Sequence, residues 1–235
     1  MRQFPLPDKD VLIAFAYHST RIEHIPVSMK ELEDTVSGAQ RNPYISGQLT
    51  AINLVIELAR DPNLIPESVE YHNVFDHLSF LKRVHLNLMH PLATWGEHTD
   101  NPGFIKMQDV GNWRQDVKVI LTRTMPSPFQ IQQYLYEWFN DICEFHNNFR
   151  QKIETPQGLE PDDICDLIKK AYDSNLKLCC IKPFWDGSNR TARLIENLFR
   201  LNWGLPWKVI KHDEDDTKQC YAKDIIHMQR LYQPN

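Results

Sequence analysis

The sequence predicts an all-α helical bundle with one small β-hairpin. Two patterns carry this. Apolar residues recur at helical spacing in segment after segment, each bounded by proline, glycine or a capping residue. One stretch, 115–121, instead alternates apolar Val117, Val119 and Leu121 with polar neighbours, the period of a strand. Size adds a third constraint. A chain of 235 residues, 42% apolar and without repeats or a low-complexity linker, suits one compact domain spanning 1–235.

In chain order, residues 8–23 read as a helix through Val11, Leu12, Phe15 and Ile22. Ser28 and Glu31 form a capping-box pattern, so a short helix starts near Met29. Residues 38–47 look turn-rich, and 48–60 look helical until Pro62 and Pro66. Residues 69–89 read as one longer helix carrying Val74, Leu78, Leu81, Val84 and Leu88. His72, His77, His85 and His90 lie in or near it without the spacing of a zinc pair, and read as satisfied or exposed histidines. Residues 96–124, punctuated by Gly96, Pro102, Gly103 and Gly111, hold the expected hairpin. Tyr134, Leu135, Trp138, Phe139 and Ile142 give 129–149 a core-facing stripe; Cys143 and His146 share a face there but lack a third catalytic partner. A helix over 162–177 delivers the chain to its most distinctive stretch. Beyond it, the acidic run 212–216 reads as solvated surface and 217–232 as a closing helix.

Composition bounds the function. A formal charge of −5 argues against general nucleic-acid binding, though not against a local basic pocket. No run of about 18 apolar residues suggests a transmembrane helix, and the first ten residues lack a signal-peptide core. Five cysteines, two of them adjacent at Cys179 and Cys180, form neither a CxxC pair nor a disulfide framework. That is the usage of a cytoplasmic protein with reduced thiols, although specialised secretion leaves no mark of this kind.

The distinctive stretch is 181–193, Ile-Lys-Pro-Phe-Trp-Asp-Gly-Ser-Asn-Arg-Thr-Ala-Arg. Pro183 stops a preceding helix, and Gly187, Ser188 and Asn189 tolerate a tight turn. From Thr191 the pattern is helical until Gly204 and Pro206. Small residues opening a helix present backbone N–H groups and the positive end of its dipole, a place for phosphate. Arg190 and Arg193 add charges that disfavour the helix start itself, so an anion is expected beside them. Asp186 is suited to a hard cation such as Mg²⁺.

This stretch resembles the signature of the Fic (Fido) family, His-Pro-Phe-x-Asp/Glu-Gly-Asn-Gly/Lys-Arg followed by a second arginine. Pro183, Phe184, Asp186, Gly187, Arg190 and Arg193 fall on it in register. Lys182 stands where the family has its catalytic histidine, Ser188 replaces an asparagine, and Asn189 replaces a glycine or lysine. Ser19 and Glu23 resemble the family's inhibitory Ser/Thr-x-x-x-Glu-Gly/Asn motif, with His24 departing from it. Gly111-Asn112-Trp113-Arg114 resembles the lead into the family's flap.

The resemblance implies a Fic-type helical bundle with a hairpin flap. Residues 1–38 would form an inhibitory helix region, 96–124 the flap and 162–204 the signature helices. It implies AMP transfer from ATP to a Ser, Thr or Tyr hydroxyl of a target protein. Gly187, Ser188, Asn189, Arg190 and Arg193 would hold the nucleotide and Asp186 the Mg²⁺. Arg190 and Arg193 would also serve catalysis beside position 182, Glu23 would pair with Arg193, and Trp113, Arg114, Gln115, Asp116 and Val117 would meet the target. A homodimer is compatible with it. Lysine is a cation at neutral pH with no lone pair to take a proton, so transfer is expected to be slow. The alternatives are a degenerate module that binds nucleotide or protein without transfer, and a hydrolase of AMP–protein bonds.

Overall fold

A computed structural model describes residues 6–99, 105–120, 123–154 and 159–232. Its α-helices are α1 (Lys9–Ile22), α2 (Met29–Ser37), α3 (Pro43–Leu58), α4 (Val74–His77), α5 (Ser79–Thr99), α6 (Pro128–Glu154), α7 (Pro161–Ile181), α8 (Ser188–Asn202) and α9 (Asp215–Tyr232). Helix α8 is the axis of the molecule. All of its residues but Asn189 are buried, and α1, α3, α5 and α7 pack against it. α9 and α6 cover the outer side of α7. One continuous core runs through these helices, with Trp138, Phe139, Phe184, Phe199 and Trp203 among its fully buried members. Among the described residues, no helix is long and apolar enough to cross a membrane.

Several boundaries differ from the sequence reading, each for a physical reason. The helix expected over 48–60 begins at Pro43. The Asn42 side chain caps it by accepting from the amides of Tyr44 and Ile45 at 3.0 and 3.3 Å, and proline at the first position loses no hydrogen bond. Gly47, which suggests a turn, marks a helix crossing instead: a Cβ there would lie 2.1 Å from the Leu88 carbonyl oxygen of α5. The helix expected over 69–89 is divided. A 3₁₀ turn (Tyr71–Asn73) leads into α4, the chain resets at Leu78, and α5 then continues through Pro91 to Thr99. α8 opens three residues earlier than Thr191, because Gly187 supplies a left-handed N-cap at φ 71°.

The segment 96–124 is the largest departure. Val119–Ile120 (β1) pairs antiparallel with Arg123–Thr124 (β2), in the register Val119↔Thr124 and Ile120↔Arg123. One further bond, from the Met125 amide to the Lys118 carbonyl at 2.8 Å, extends this pairing, and no hairpin of flap size is seen among the described residues. Residues 100–104 and 121–122 of this segment lie outside them. Upstream, Arg114 explains the irregular path. It is buried, and its guanidinium donates to the carbonyls of Lys182 (2.7 Å), Asp116 (2.8 Å) and Pro126. Those bonds gather the backbone around a side chain where a ladder would otherwise run.

The α3–α5 crossing yields a stability prediction. Gly47→Ala drives a methyl group into a backbone carbonyl that cannot rotate away. It should destabilise the protein by about 2–3 kcal/mol, the upper range for overpacking, measured as a lower urea midpoint at unchanged slope.

Candidate functional site

The loop between α7 and α8 is held from every side. Helix α7 ends on Lys182, which takes the left-handed conformation at φ 49° while its amide donates to the Leu178 carbonyl. The Ser188 hydroxyl accepts from the Phe184 amide at 3.2 Å and donates to the Phe184 carbonyl at 3.0 Å. Asp186 Oδ1 accepts from the Gly187 amide at 2.7 Å. A Cβ at Gly187 would stand 2.6 Å from Met89 Sδ, so glycine is required there for space as well as for backbone.

Phe184 anchors the loop in a stack. His85 lies against it with ring centroids 3.8 Å apart and planes 4° apart, and Trp113 covers its other neighbourhood at 5.1 Å. His85 is fully buried. The Gly111 amide donates to its Nδ1 at 2.9 Å, so the ring proton sits on Nε2 and is donated to the Asp186 carbonyl at 2.9 Å. Burial pushes the His85 pKa down to about 4, against the weaker upward pull of Asp186.

Above this loop is a cavity of about 200 Å³ lined by Glu23, Ile25, Tyr44, Lys118, Lys182 and residues 186–190. Arg190 of α8 lines it, and Arg193 lies one turn further along the same helix. Arg193, 1% exposed, binds α1: Nη2 meets Glu23 Oε1 at 2.8 Å and donates to the Ser19 carbonyl at 2.8 Å, and Nε donates to Ser19 Oγ at 3.0 Å. Burial alone would raise the Glu23 pKa; the charges of Arg193 and Lys182 and the bond from Arg193 outweigh it and hold the carboxyl below its ordinary range. Burial likewise opposes the Arg193 cation, and Glu23 together with Tyr221 and Cys179 more than offsets it.

Arg190 is different. It is 3% exposed, and its Nη2 donates to the Met89 thioether at 3.2 Å. Nη1 has no hydrogen-bond partner among the described residues, and Nη1 of Arg193 is in the same position. Burial presses the Arg190 pKa down. A buried guanidinium with a free N–H edge at a helix N-terminus calls for an oxyanion.

Two of the three residues that depart from the Fic signature, Lys182 and Asn189, are joined to each other. Lys182 Nζ donates to Asn189 Oδ1, and Asn189 Nδ2 donates to Glu23 Oε2 at 3.3 Å. A continuous chain thus runs Lys182–Asn189–Glu23–Arg193–Ser19. Of the expected flap residues, Trp113 and Arg114 turn inward to Phe184 and Lys182, while Gln115, Asp116 and Val117 are exposed.

Sequence reasoning missed several contributors. Tyr44 sits in the segment read as a turn, with Arg190 5.8 Å from its ring centre. Lys118 donates to the Trp185 carbonyl and lies 5.5 Å over its ring, with burial lowering its pKa. His85 had a helical position but no spacing that marked it.

A glycine-opened helix with two buried arginines is thus set in a bundle of helices. The Fic/DOC family model matches residues 76–200, more than half of the sequence, and the chain belongs to that family. The fold is similar to that of a Fic-domain-containing signalling protein from Bacteroides thetaiotaomicron, with a TM-score of 0.62 and 16% identity over 92% of this chain and 71% of that one. It is also similar to Fic-1 from C. elegans, with a TM-score of 0.57 and 18% identity over 96% of this chain and 56% of that one. This chain therefore spans little more than half of the Fic-1 structure. No curated protein matches significantly. At these identities the likeness is one of fold; the family is in general one of AMP-transferring enzymes.

His85 gives the site a pH signature. Its folded pKa, about 4, lies below the ordinary value of 6.5, so its contribution to stability is complete above pH 6.5 and is lost as pH falls toward 4. That span is worth on the order of 3 kcal/mol. Denaturant unfolding across it should show stability falling with pH, with the slope flattened in His85→Gln.

Proposed function

We propose that the protein is a Fic-type adenylyltransferase held in an inhibited state, with AMP transfer from ATP to a protein hydroxyl slowed by the loss of its base. The observation that carries this reading is the unpartnered N–H edge of buried Arg190 at the N-terminus of α8. A triphosphate seated on residues 187–189 meets the amides that open α8 and the free edges of Arg190 and Arg193. Asp186, an exposed carboxylate at the cavity, suits Mg²⁺, which binds through one or two carboxylates together with nucleotide phosphates. When bound there, Mg²⁺ would neutralise phosphate charge and polarise the phosphoryl group.

Glu23 supports the inhibited state. Its carboxylate takes the face of Arg193 on which an outer phosphate would rest, so nucleotide and Glu23 compete for one guanidinium. In transfer, the target's hydroxyl oxygen forms a bond to the α-phosphorus, the bond to pyrophosphate breaks, and the hydroxyl proton needs an acceptor. Lys182 is committed as a donor to Asn189 and offers no acceptor. The exposed edge at Gln115, Asp116 and Val117 is the part of the flap region open to a target segment; Trp113 and Arg114 hold the loop instead. The same Lys182–Asn189 bond favours a second reading, a nucleotide-binding module without turnover.

Two measurements separate these readings. In calorimetry with Mg²⁺, Glu23→Gly should bind ATP roughly ten- to a hundredfold more tightly than wild type, the range of about 1.5–3 kcal/mol for a charged hydrogen bond, and adding Arg190→Ala should reverse the gain. Absence of ATP binding in Glu23→Gly would reject the nucleotide site. With labelled ATP, Glu23→Gly with Lys182→His should transfer AMP about 10²–10⁴ times faster than Glu23→Gly alone, the worth of a general base. A double variant that binds ATP but stays inert would leave the binding module as the function.

A further inference from the structure

We infer that His18, His212 and Asp213 form a transition-metal site, most suited to Zn²⁺, which fastens α1 to the segment leading into α9. His18 Nδ1 and His212 Nδ1 point at each other 2.8 Å apart, and Asp213 Oδ1 is 3.7 Å from His18 Nδ1. One ligand atom from each of the three lies within 4.8 Å of the others. The two histidines are 194 residues apart in sequence, so the fold itself brings the set together. Two imidazole nitrogens and one carboxylate are the donor types of zinc sites that keep an open position. Bonds of about 2.0–2.2 Å at tetrahedral angles separate ligand atoms by roughly 3.3 Å. The histidine pair needs to open by only about half an ångström, and the Asp213 oxygen to close on His18 by about as much.

The rings are already oriented. Tyr17 packs edge-on to both, at 5.2 and 5.1 Å, and their own centroids are 5.0 Å apart. His18 Nδ1 also accepts from the His212 amide at 3.3 Å, which aims its lone pair into the cluster. Without metal, the two rings share a single hydrogen bond. Arg21 Nε donates to His212 Nε2 at 3.5 Å, so the His212 proton sits on Nδ1 and points at His18. Metal takes the place of that proton. The proton shifts to Nε2, no net proton is released, and Arg21 must swing aside from a long, loose contact. Asp213 and Glu214 face Arg21, Lys211 and Lys218 around the cluster, and Lys211 is already paired with Glu214 at 2.6 Å. His18 immediately precedes Ser19 on the helix whose end presents Glu23, so metal here would fix the element that blocks Arg193.

The test uses the full chain, stripped with a chelator and titrated with Co²⁺ and then Zn²⁺. One Co²⁺ per chain should bind with visible-region absorption, and Zn²⁺ should displace it. His18→Gln and His212→Gln should each weaken binding at least tenfold, while Arg21→Ala should strengthen it by removing both a competing donor and a positive charge. Amide hydrogen exchange in α1 should slow on adding Zn²⁺. If a histidine variant fails to fold, Asp213→Asn at the exposed position carries the test and must weaken binding. Failure of the wild-type chain to bind either metal at micromolar concentration, or equal affinity in the ligand variants, would overturn the site.

Discussion

The structure depends on burying a polar helix. α8 carries Arg190, Arg193, Arg200, Glu196, Asn197 and Asn202, all enclosed by its neighbours. Such burial is tolerated only where each group meets a partner. Asn175 of α7 donates to Glu196 at 2.7 Å, and Lys208 pairs with it at 3.0 Å. Asn197 accepts from the Lys208 amide, Arg200 donates to the Pro206 carbonyl, and Asn202 reaches the carbonyls of Ala59 and Asp61. Helix α1 supplies Ser19 and Glu23 for Arg193. The surrounding helices are therefore fixed in register by polar contacts as well as by apolar packing. Arg190 is the charged group of α8 left facing a sulfur atom and a cavity.

The three departures from the signature belong to two different tasks. Ser188 makes a local brace on Phe184 that shapes the loop, so a short hydroxyl side chain is accommodated there without disturbing the α8 start. Lys182 and Asn189 act together: one provides a cation, the other relays it to Glu23. A glycine at 189 would break that relay, and an imidazole at 182 would have no need of it. The pair is coherent with a site whose inhibitory carboxylate is held from both sides, by Arg193 and through Asn189.

Much of this was legible in sequence. The loop and helix at 181–204, the capping box at Ser28 and Glu31, and the Glu23–Arg193 partnership follow from short-range patterns or from the family signature. What was hidden depends on distant contacts. Gly47 looks like a turn residue until Leu88 is laid against it. The helix expected to end at 89 continues through Pro91 to Thr99. His85 has no spacing that announces its bonds to Gly111 and Asp186, because its partners are backbone atoms. The alternation at 115–121 suggests a longer hairpin, but Arg114 draws the backbone inward, and among the described residues two on each side are paired.

The location of Glu23 carries a mechanical consequence. It is not in the body of α1 but at its C-cap, and His24 after it already has φ 60°. A carboxylate at that end opposes the helix dipole, so the ion pair with Arg193 holds the last turn in place against its own local preference. Phe15 and Ala16, about two turns earlier, stay buried in the core. Clearing the arginine therefore requires unwinding a single turn rather than undocking a helix. The latch sits at the end of α1 where fraying begins, and its opening free energy is set apart from that of the whole fold.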